Sequence, residues 1–227
     1  MRTSAPVQAI WQHGECLELS LADAALSRIV ARSVALATPA FVAAELLARF
    51  EPAASAALRA IDYPPVIQIA LAYPRSVIGV PLDGFGFLAA RSEGLRILGC
   101  VWNSAMFPDR CAREEEVLLT VFLGGALDPG VLAVSDDDLV RVAHADLSRA
   151  MRIHDGVPRV IAGFRWAQGI PQFDIGHERR LKVIADAVGR IPHMHLCGSY
   201  FTSPSVPDCM RLAKSVAETI AGSLKAA

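Results

Sequence analysis

The sequence lacks a surplus of either charge: 22 lysine and arginine residues stand against 23 aspartate and glutamate residues, for a formal net charge of -1. This balance gives no electrostatic reason to expect nucleic acid as a partner. The five cysteines show no paired spacing, which indicates reduced thiols rather than a disulfide framework. We therefore expect a cytoplasmic protein.

Long apolar runs are also missing, although 53% of the residues are hydrophobic and the mean hydropathy is +0.37. The most apolar stretch, residues 117–134, is interrupted by Gly124-Gly125 and by an Asp-Pro-Gly turn at residues 128–130. A bilayer helix needs about 20 mostly apolar residues, so no segment is predicted to span a membrane. No signal-peptide pattern, GxSxG elbow, Walker loop or CxxC pair is found either.

The middle of the chain has the pattern of a β-sheet. Apolar runs at residues 66–73, 84–90, 95–103, 117–123 and 159–166 are separated by proline, glycine and charged turns, which predicts a mixed, largely antiparallel sheet. A helix is predicted after Ser135, because a hydroxyl cap and three aspartates precede an apolar face. That predicted face contains Leu139, Ala143, Leu147 and Ala150.

Both ends of the chain have an α/β pattern. The N-terminal part predicts a hairpin over residues 7–21, a strand over 33–37, and helices ending near Phe50 and Ile61. The C-terminal part predicts a helix over 177–188, a strand over 194–197 and a helix over 207–224. The expected fold class is α+β, with residues 62–173 forming the sheet domain and residues 1–61 and 174–227 forming a partial nucleotide-fold layer.

Two motifs have more than one interpretation. Residues 84–89 match the letters of the GxGxxA dinucleotide pattern, but they lie within a β pattern, so we expect glycines that let a flat ligand or another backbone approach. His193, His195 and Cys197 alternate along one strand and could form a metal trio. Because such scattered ligands are weak evidence, we predict no metal site.

Residues 98–110, together with 84–88 and 120–125, resemble the protoporphyrinogen oxidase family over about residues 37–208. The resemblance implies a flavoprotein of haem and chlorophyll biosynthesis in which FAD oxidises protoporphyrinogen IX to protoporphyrin IX. It also implies a C-terminal, substrate-domain portion, because the family's N-terminal dinucleotide-binding segment has no counterpart here. No catalytic acid or base can be matched.

The resemblance assigns residues to both ligands. Leu88 and Val101 match aliphatic positions that sandwich one pyrrole ring, and Phe122 matches the aromatic residue that stacks on the neighbouring ring. The flavin contacts that it implies are Thr38, Pro39, Trp166, Gly198, Ser199, Val206, Pro207 and Asp208. The family usually has glycine where Ser203 and Ser205 stand, so FAD binding by this chain alone is in question.

Other interpretations remain open. The chain could be a non-catalytic tetrapyrrole-binding or partner protein, or half of a split flavoenzyme that needs a separate chain carrying the FAD segment. A homodimer and a peripheral membrane location are also compatible with the sequence. A related flavin amine oxidase or carotenoid desaturase is a further alternative, against which the stretch at residues 106–110 argues.

Overall fold

The computed structural model describes residues 1–22, 27–110, 113 and 115–226, so Cys111 lies outside the described residues. The chain divides into two compact units. Unit 1 contains Met1–Asp62 and Pro171–Ala227, and unit 2 contains Tyr63–Ile170. These limits lie close to the predicted division, while the role of each unit stays a prediction. No helix among the described residues has the length and apolar character needed to cross a membrane.

In the residues that the structure describes, unit 1 combines two small sheets with four α-helices. An antiparallel sheet contains β1 (Val7–His13), β2 (Cys16–Leu21) and β3 (Arg28–Ala31), and a parallel pair contains β4 (Val34–Leu36) and β10 (Met194–Leu196). The helices are α1 (Ala40–Leu47), α2 (Pro52–Arg59), α5 (His177–Val188) and α6 (Val206–Ala226). The strand β3 was not predicted, because four residues are too few to show an alternating pattern.

Unit 2 is built on a five-stranded sheet. Its strands are β5 (Val66–Pro74), β6 (Gly86–Leu88), β7 (Ile97–Trp102), β8 (Glu116–Gly124) and β9 (Arg159–Trp166), in the order β6-β7-β8-β5-β9. Each neighbouring pair is antiparallel. The helices are α3 (Asn103–Met106) and α4 (Asp136–Met151). The predicted α+β class is confirmed; the sheet of unit 2 is wholly antiparallel, and the parallel pairing lies in unit 1.

The helix α4 belongs to the core on one face of this sheet. Alternate residues of β5 and β8 are buried in the same apolar cluster as one side of α4, and its members include Ile67, Ile69, Leu71, Leu119, Val121, Leu123, Leu139, Ala143 and Leu147. Ala150 was predicted on this side of α4 but is exposed, and the next residue, Met151, is buried instead. The helix remains α-helical to Met151, so its last buried position falls one turn after Leu147.

Two sets of polar contacts hold α4 in position. The Ser135 hydroxyl accepts a hydrogen bond from the Asp138 amide at 3.2 Å, which confirms the predicted cap. The Asp146 carboxylate is buried and accepts the backbone N–H groups of Arg96 and Ile97 at 2.7 and 3.0 Å. This carboxylate therefore connects the helix to the start of β7.

Candidate functional site

The sheet of unit 2 has a second face, directed away from α4, which we call the open face. Successive side chains of a strand point to opposite sides. Since Val121 and Leu123 are buried in the core with α4, Phe122 between them points to the open face. The same alternation places Gln68 there, between the core residues Ile67 and Ile69.

The strand register brings five residues of the open face into one line across the sheet, which we call the transverse row. Leu88 pairs with Gly99, and Gly99 pairs with Phe122. Phe122 pairs with Gln68, and Gln68 pairs with Phe164. Because neighbouring strands lie about 4.8 Å apart, the row crosses roughly 19 Å of sheet. It is an apolar line with one amide near its middle.

The next row consists mostly of small side chains. Its members pair in the order Gly86, Val101, Thr120, Ala70 and Ala162. Beyond the transverse row on its other side, Gly124 pairs with Val66 and Val66 with Trp166. None of the residues in these three rows carries an ionisable group. The open face can therefore accept a flat apolar ligand beside the larger side chains of the transverse row.

The three predicted substrate residues share the open face. Leu88 and Phe122 lie in the transverse row, and Val101 lies in the adjacent row. Leu88 is 90% exposed, whereas Val101 and Phe122 are half-buried. The structure thus brings them together, and their contact with a tetrapyrrole stays a prediction.

The glycines of this face allow the strands to approach closely. A Cβ on Gly86, which has a φ of +137°, would lie 2.0 Å from the Cys100 carbonyl oxygen. A Cβ on Gly99 would lie 2.4 Å from the Phe87 carbonyl oxygen. The sequence predicted that the glycines of residues 84–89 let a flat ligand or another backbone approach, and the structure shows the close approach of the neighbouring backbone. The strand covers only Gly86–Leu88, shorter than the predicted residues 84–90.

A polar contact at one end of the open face was missed by the sequence reasoning. The Thr120 hydroxyl donates to the Asn103 side-chain oxygen at 2.7 Å, and the Leu118 amide donates to the Ser104 hydroxyl at 2.5 Å. These bonds hold the single-turn helix α3 against β8. The Asn-Ser pair directly after a β-rich run was the available signal, because such residues bond to nearby backbone groups where strands end.

In unit 1, a threonine followed by a proline predicts a helix with Thr38 as its N-cap and Pro39 at its first position, and this prediction is wrong. The helix α1 begins at Ala40, Pro39 occupies the N-cap position without a side-chain bond, and the helix ends at Leu47 rather than near Phe50. The Thr38 hydroxyl is buried and has no hydrogen-bond partner among the described residues. The φ of Pro39, -54°, would suit a helix, but its ψ of 156° is extended, so the helix starts at the next residue.

Gly198 and Ser199 follow β10 and enter a tight turn. The space where a Gly198 Cβ would lie is filled by the Tyr200 ring, whose Cε1 atom would be 1.9 Å away. The His177 Nε2 atom lies 2.8 Å from the Tyr200 carbonyl oxygen, which requires the imidazole to donate. His177 is buried, and its Nδ1 atom has no hydrogen-bond partner among the described residues. Its ring packs edge-to-face against the ring of Phe173, with 4.6 Å between the ring centroids.

Val206, Pro207 and Asp208 form the first turn of α6, which begins one residue before the prediction. The Ser205 hydroxyl accepts from the Asp208 amide at 3.3 Å, and the Ser205 carbonyl accepts from the Cys209 amide at 3.0 Å. The bond from Ser205 lowers the pKa of the Asp208 carboxyl, with help from Ser203 and Arg211. An anionic carboxylate and a serine cap thus occupy the N-terminus of α6.

The possible metal trio does not form a cluster: within the described ranges, no three histidine, cysteine, aspartate or glutamate residues could hold a metal ion. His193 has a φ of +61°, and the short strand β10 begins only after it. Burial, and then the neighbouring His193, lower the pKa of His195. Cys197 lies just beyond the end of β10, so the predicted regular alternation stops before it.

Comparison with known proteins identifies the family to which this chain belongs. The family model described as flavin containing amine oxidoreductase matches residues 1–221. The chain belongs to that family. Within it, the chain is 31% identical over 201 residues to the chloroplastic protoporphyrinogen oxidase of Oryza sativa subsp. japonica, which covers 85% of this chain and 37% of the relative. Together with the family model, this similarity confirms the resemblance to protoporphyrinogen oxidases.

A coproporphyrinogen III oxidase of Bacillus subtilis (strain 168) is 29% identical over 203 residues, covering 89% of this chain and 42% of the relative. The fold matches the crystal structure of a protein described as a putative protoporphyrinogen oxidase from Exiguobacterium sp. 255-15 with a TM-score of 0.78 and 21% identity, covering 96% of this chain and 47% of the other. This member of the flavin amine oxidoreductase family therefore spans well under half the length of its curated relatives.

The family implies a flavin, but neither the N-terminus of α6 nor the turn at Gly198 offers an open site for its pyrophosphate. A helix N-terminus binds phosphate through unpaired N–H groups. Here the Ser205 hydroxyl and the Asp208 carboxylate already occupy that end of α6. The glycine of the predicted motif accommodates Tyr200 rather than leaving an open cradle. Trp166, the remaining predicted flavin contact, lies in unit 2 and is about half exposed.

Proposed function

We propose that this chain supplies the tetrapyrrole-binding portion of a flavin-dependent oxidase that converts protoporphyrinogen IX, or the related coproporphyrinogen III, into the corresponding porphyrin. The observation that carries the proposal is the transverse row, in which Leu88, Phe122 and Phe164 form an uncharged apolar line whose two ends are exposed and whose middle is half-buried. The relatives of this chain include a protein named protoporphyrinogen oxidase and one named coproporphyrinogen III oxidase.

The chemistry of such a ligand matches the face. A porphyrinogen is a wide, mostly apolar ring whose charged groups lie at its periphery. Burying apolar ring surface stabilises the complex by about 25 cal/mol per Å² before the costs of association. The role proposed for these residues is to bind and orient the macrocycle and to exclude water from one side of it. We propose that the dinucleotide-binding half comes from another segment or chain.

A titration with protoporphyrin IX tests the proposal, with porphyrin fluorescence as the readout. We expect saturable binding by the full chain and at least tenfold weaker binding by Phe122→Ala, because the variant removes the largest side chain at the centre of the row. The control is Phe50→Ala, in unit 1. Equal losses of binding in the two variants, or linear uptake by the wild type, would contradict the proposal.

A second candidate function is tetrapyrrole binding without flavin chemistry. The occupied N-terminus of α6 favours it, because Asp208 places negative charge where a phosphate would bind. The two functions separate when the full chain, mixed with the dinucleotide-binding half of a related protoporphyrinogen oxidase, is titrated with FAD and compared with that half alone. Saturable flavin binding beyond that of the half alone favours the oxidase portion, whereas porphyrin binding without any such flavin binding favours the second function.

A further inference from the structure

Gln68 is the one polar side chain of the transverse row. It stands directly between Phe122 on β8 and Phe164 on β9. Its side chain is half-buried, and within the described part of the chain no side chain or backbone group bonds to its amide. Its backbone is already paired in a strand that has neighbours on both sides.

A ligand that covers this row would remove water from the Gln68 amide. A buried polar group without a partner is costly, so a ligand that binds here must offer one. A flat ring lying across the two phenylalanines has its centre over Gln68. The centre of a tetrapyrrole is where the pyrrole N–H groups are, and these are hydrogen-bond donors.

The oxidation state of the ring decides whether those donors can reach the sheet. In a fully oxidised porphyrin, the N–H groups lie in the ring plane and point at one another across the centre. In a porphyrinogen, saturated bridging carbons let each pyrrole tilt, and its N–H group can leave the mean plane. Only the reduced ring therefore presents an N–H donor to a side chain beneath it.

We propose that the Gln68 side-chain oxygen accepts a hydrogen bond from a pyrrole N–H of the reduced macrocycle and thereby makes this face prefer porphyrinogen over porphyrin. The inference rests on the proposed tetrapyrrole-binding function. Gln68 is a specificity-determining contact here, because the preference would help an oxidised product to leave.

Competition under anaerobic conditions measures the preference. Protoporphyrinogen IX displaces bound protoporphyrin IX, whose fluorescence reports its own release. We expect Gln68→Leu to weaken porphyrinogen binding about tenfold, the equivalent of one hydrogen bond, while porphyrin affinity stays the same or rises. Gln8→Leu, an exposed glutamine on β1 of unit 1, serves as the matched control. Thermal unfolding checks that each variant is folded.

Gln68→Glu separates the proposed contact from a different one. A carboxylate retains the acceptor, so the preference for porphyrinogen should persist, and this variant also provides a test if the leucine variant does not fold. If the amide instead donated to a carboxylate of the ligand, glutamate would weaken both ligands alike. That result, or an unchanged affinity ratio in Gln68→Leu, overturns the Gln68 contact alone. Absence of saturable wild-type binding overturns the proposed function and this contact together.

Discussion

The helices α4 of unit 2 and α6 of unit 1 begin alike but are packed very differently. Each has a serine whose hydroxyl accepts the backbone amide of an aspartate three residues later, at 3.2 Å in α4 and 3.3 Å in α6. The apolar side of α4 is buried in the sheet core. In contrast, none of the side chains described for α6, at residues 206–225, is buried.

The same contrast runs through the two units. Unit 1 contains buried polar atoms without described partners on Thr38, His177 and His195, and unit 2 contains one on Trp102. Parallel sheets are usually covered on both faces, yet Ala35 on β4 is exposed. One side of α4 is part of the core of unit 2, whereas α6 of unit 1 has no buried side chain at its described positions.

The largest expected effect comes from truncating one leucine in each helix. Leu147→Ala in α4 should lower the free energy of unfolding of unit 2 by about 3 kcal/mol, because it leaves a cavity in a closed core. Leu212→Ala in α6 should cost less than about 1 kcal/mol, because its side chain is only half-buried. Urea unfolding followed by hydrogen exchange assigns each loss to a unit. Comparable costs would show that α6 is packed as closely as α4.

His177 tests whether unit 1 depends on individual polar contacts. Replacing it with leucine leaves the Tyr200 carbonyl without its donor, at a cost of about 1–3 kcal/mol. The variant His177→Gln keeps an N–H donor at a similar reach and should restore most of the loss. The readout is amide exchange at residues 197–201. Equal protection in the leucine and glutamine variants would mean that packing, not the hydrogen bond, holds the turn.

The two serine caps offer a smaller, matched comparison. Ser135→Ala should cost about 1 kcal/mol of global stability, because α4 is required for the core of unit 2. Ser205→Ala removes an equivalent bond, but we expect only fraying of the first turn of α6, because that helix is exposed. Circular dichroism during thermal unfolding measures the first effect, and exchange at residues 206–209 measures the second. A larger global loss from Ser205→Ala would reverse the comparison.

The smallest expected effect is a pH dependence in unit 1. Burial lowers the pKa of His195 below its ordinary value of 6.5, so the folded state favours the neutral imidazole. The unfolded chain then binds the proton more readily, and stability is complete above pH 6.5 but falls as the pH drops through that value. His195→Gln should flatten the dependence of unit 1 between about pH 7.5 and about pH 5.5. A wild-type unit 1 that unfolds identically at both values would contradict this.

Local signals predicted the elements that had strong local causes. The strand at Arg159–Trp166 has the predicted limits, and α5 begins at His177 and ends before Gly189 as predicted. The cap at Ser135 was also visible, because a hydroxyl residue and acids precede an apolar face. The prediction for Thr38 failed because the backbone of Pro39 is extended and α1 begins only at Ala40. The prediction for Ala150 failed because packing against the sheet buries Met151 in its place.

The candidate site divides in the same way. The family motifs indicated Leu88, Val101 and Phe122, but only the burial of Val121 and Leu123 in the core showed that Phe122 points away from its neighbours. Nothing local indicated that Gln68 and Phe164 would stand in the same line. Their strands are separated from β8 in sequence, so their alignment depends on pairing register, which is set by long-range hydrogen bonds and the fit of the core.

The amino-acid sequence by itself thus determined the positions of most strands and the start of α4, because these depend on neighbours within a few residues. Only the tertiary structure decided which strands meet, that the open face carries an uncharged row with a single amide, and that α6 keeps its apolar side half-exposed. Those features depend on backbone groups far apart in the chain coming into register and on which surfaces the fold has enough apolar residues to bury.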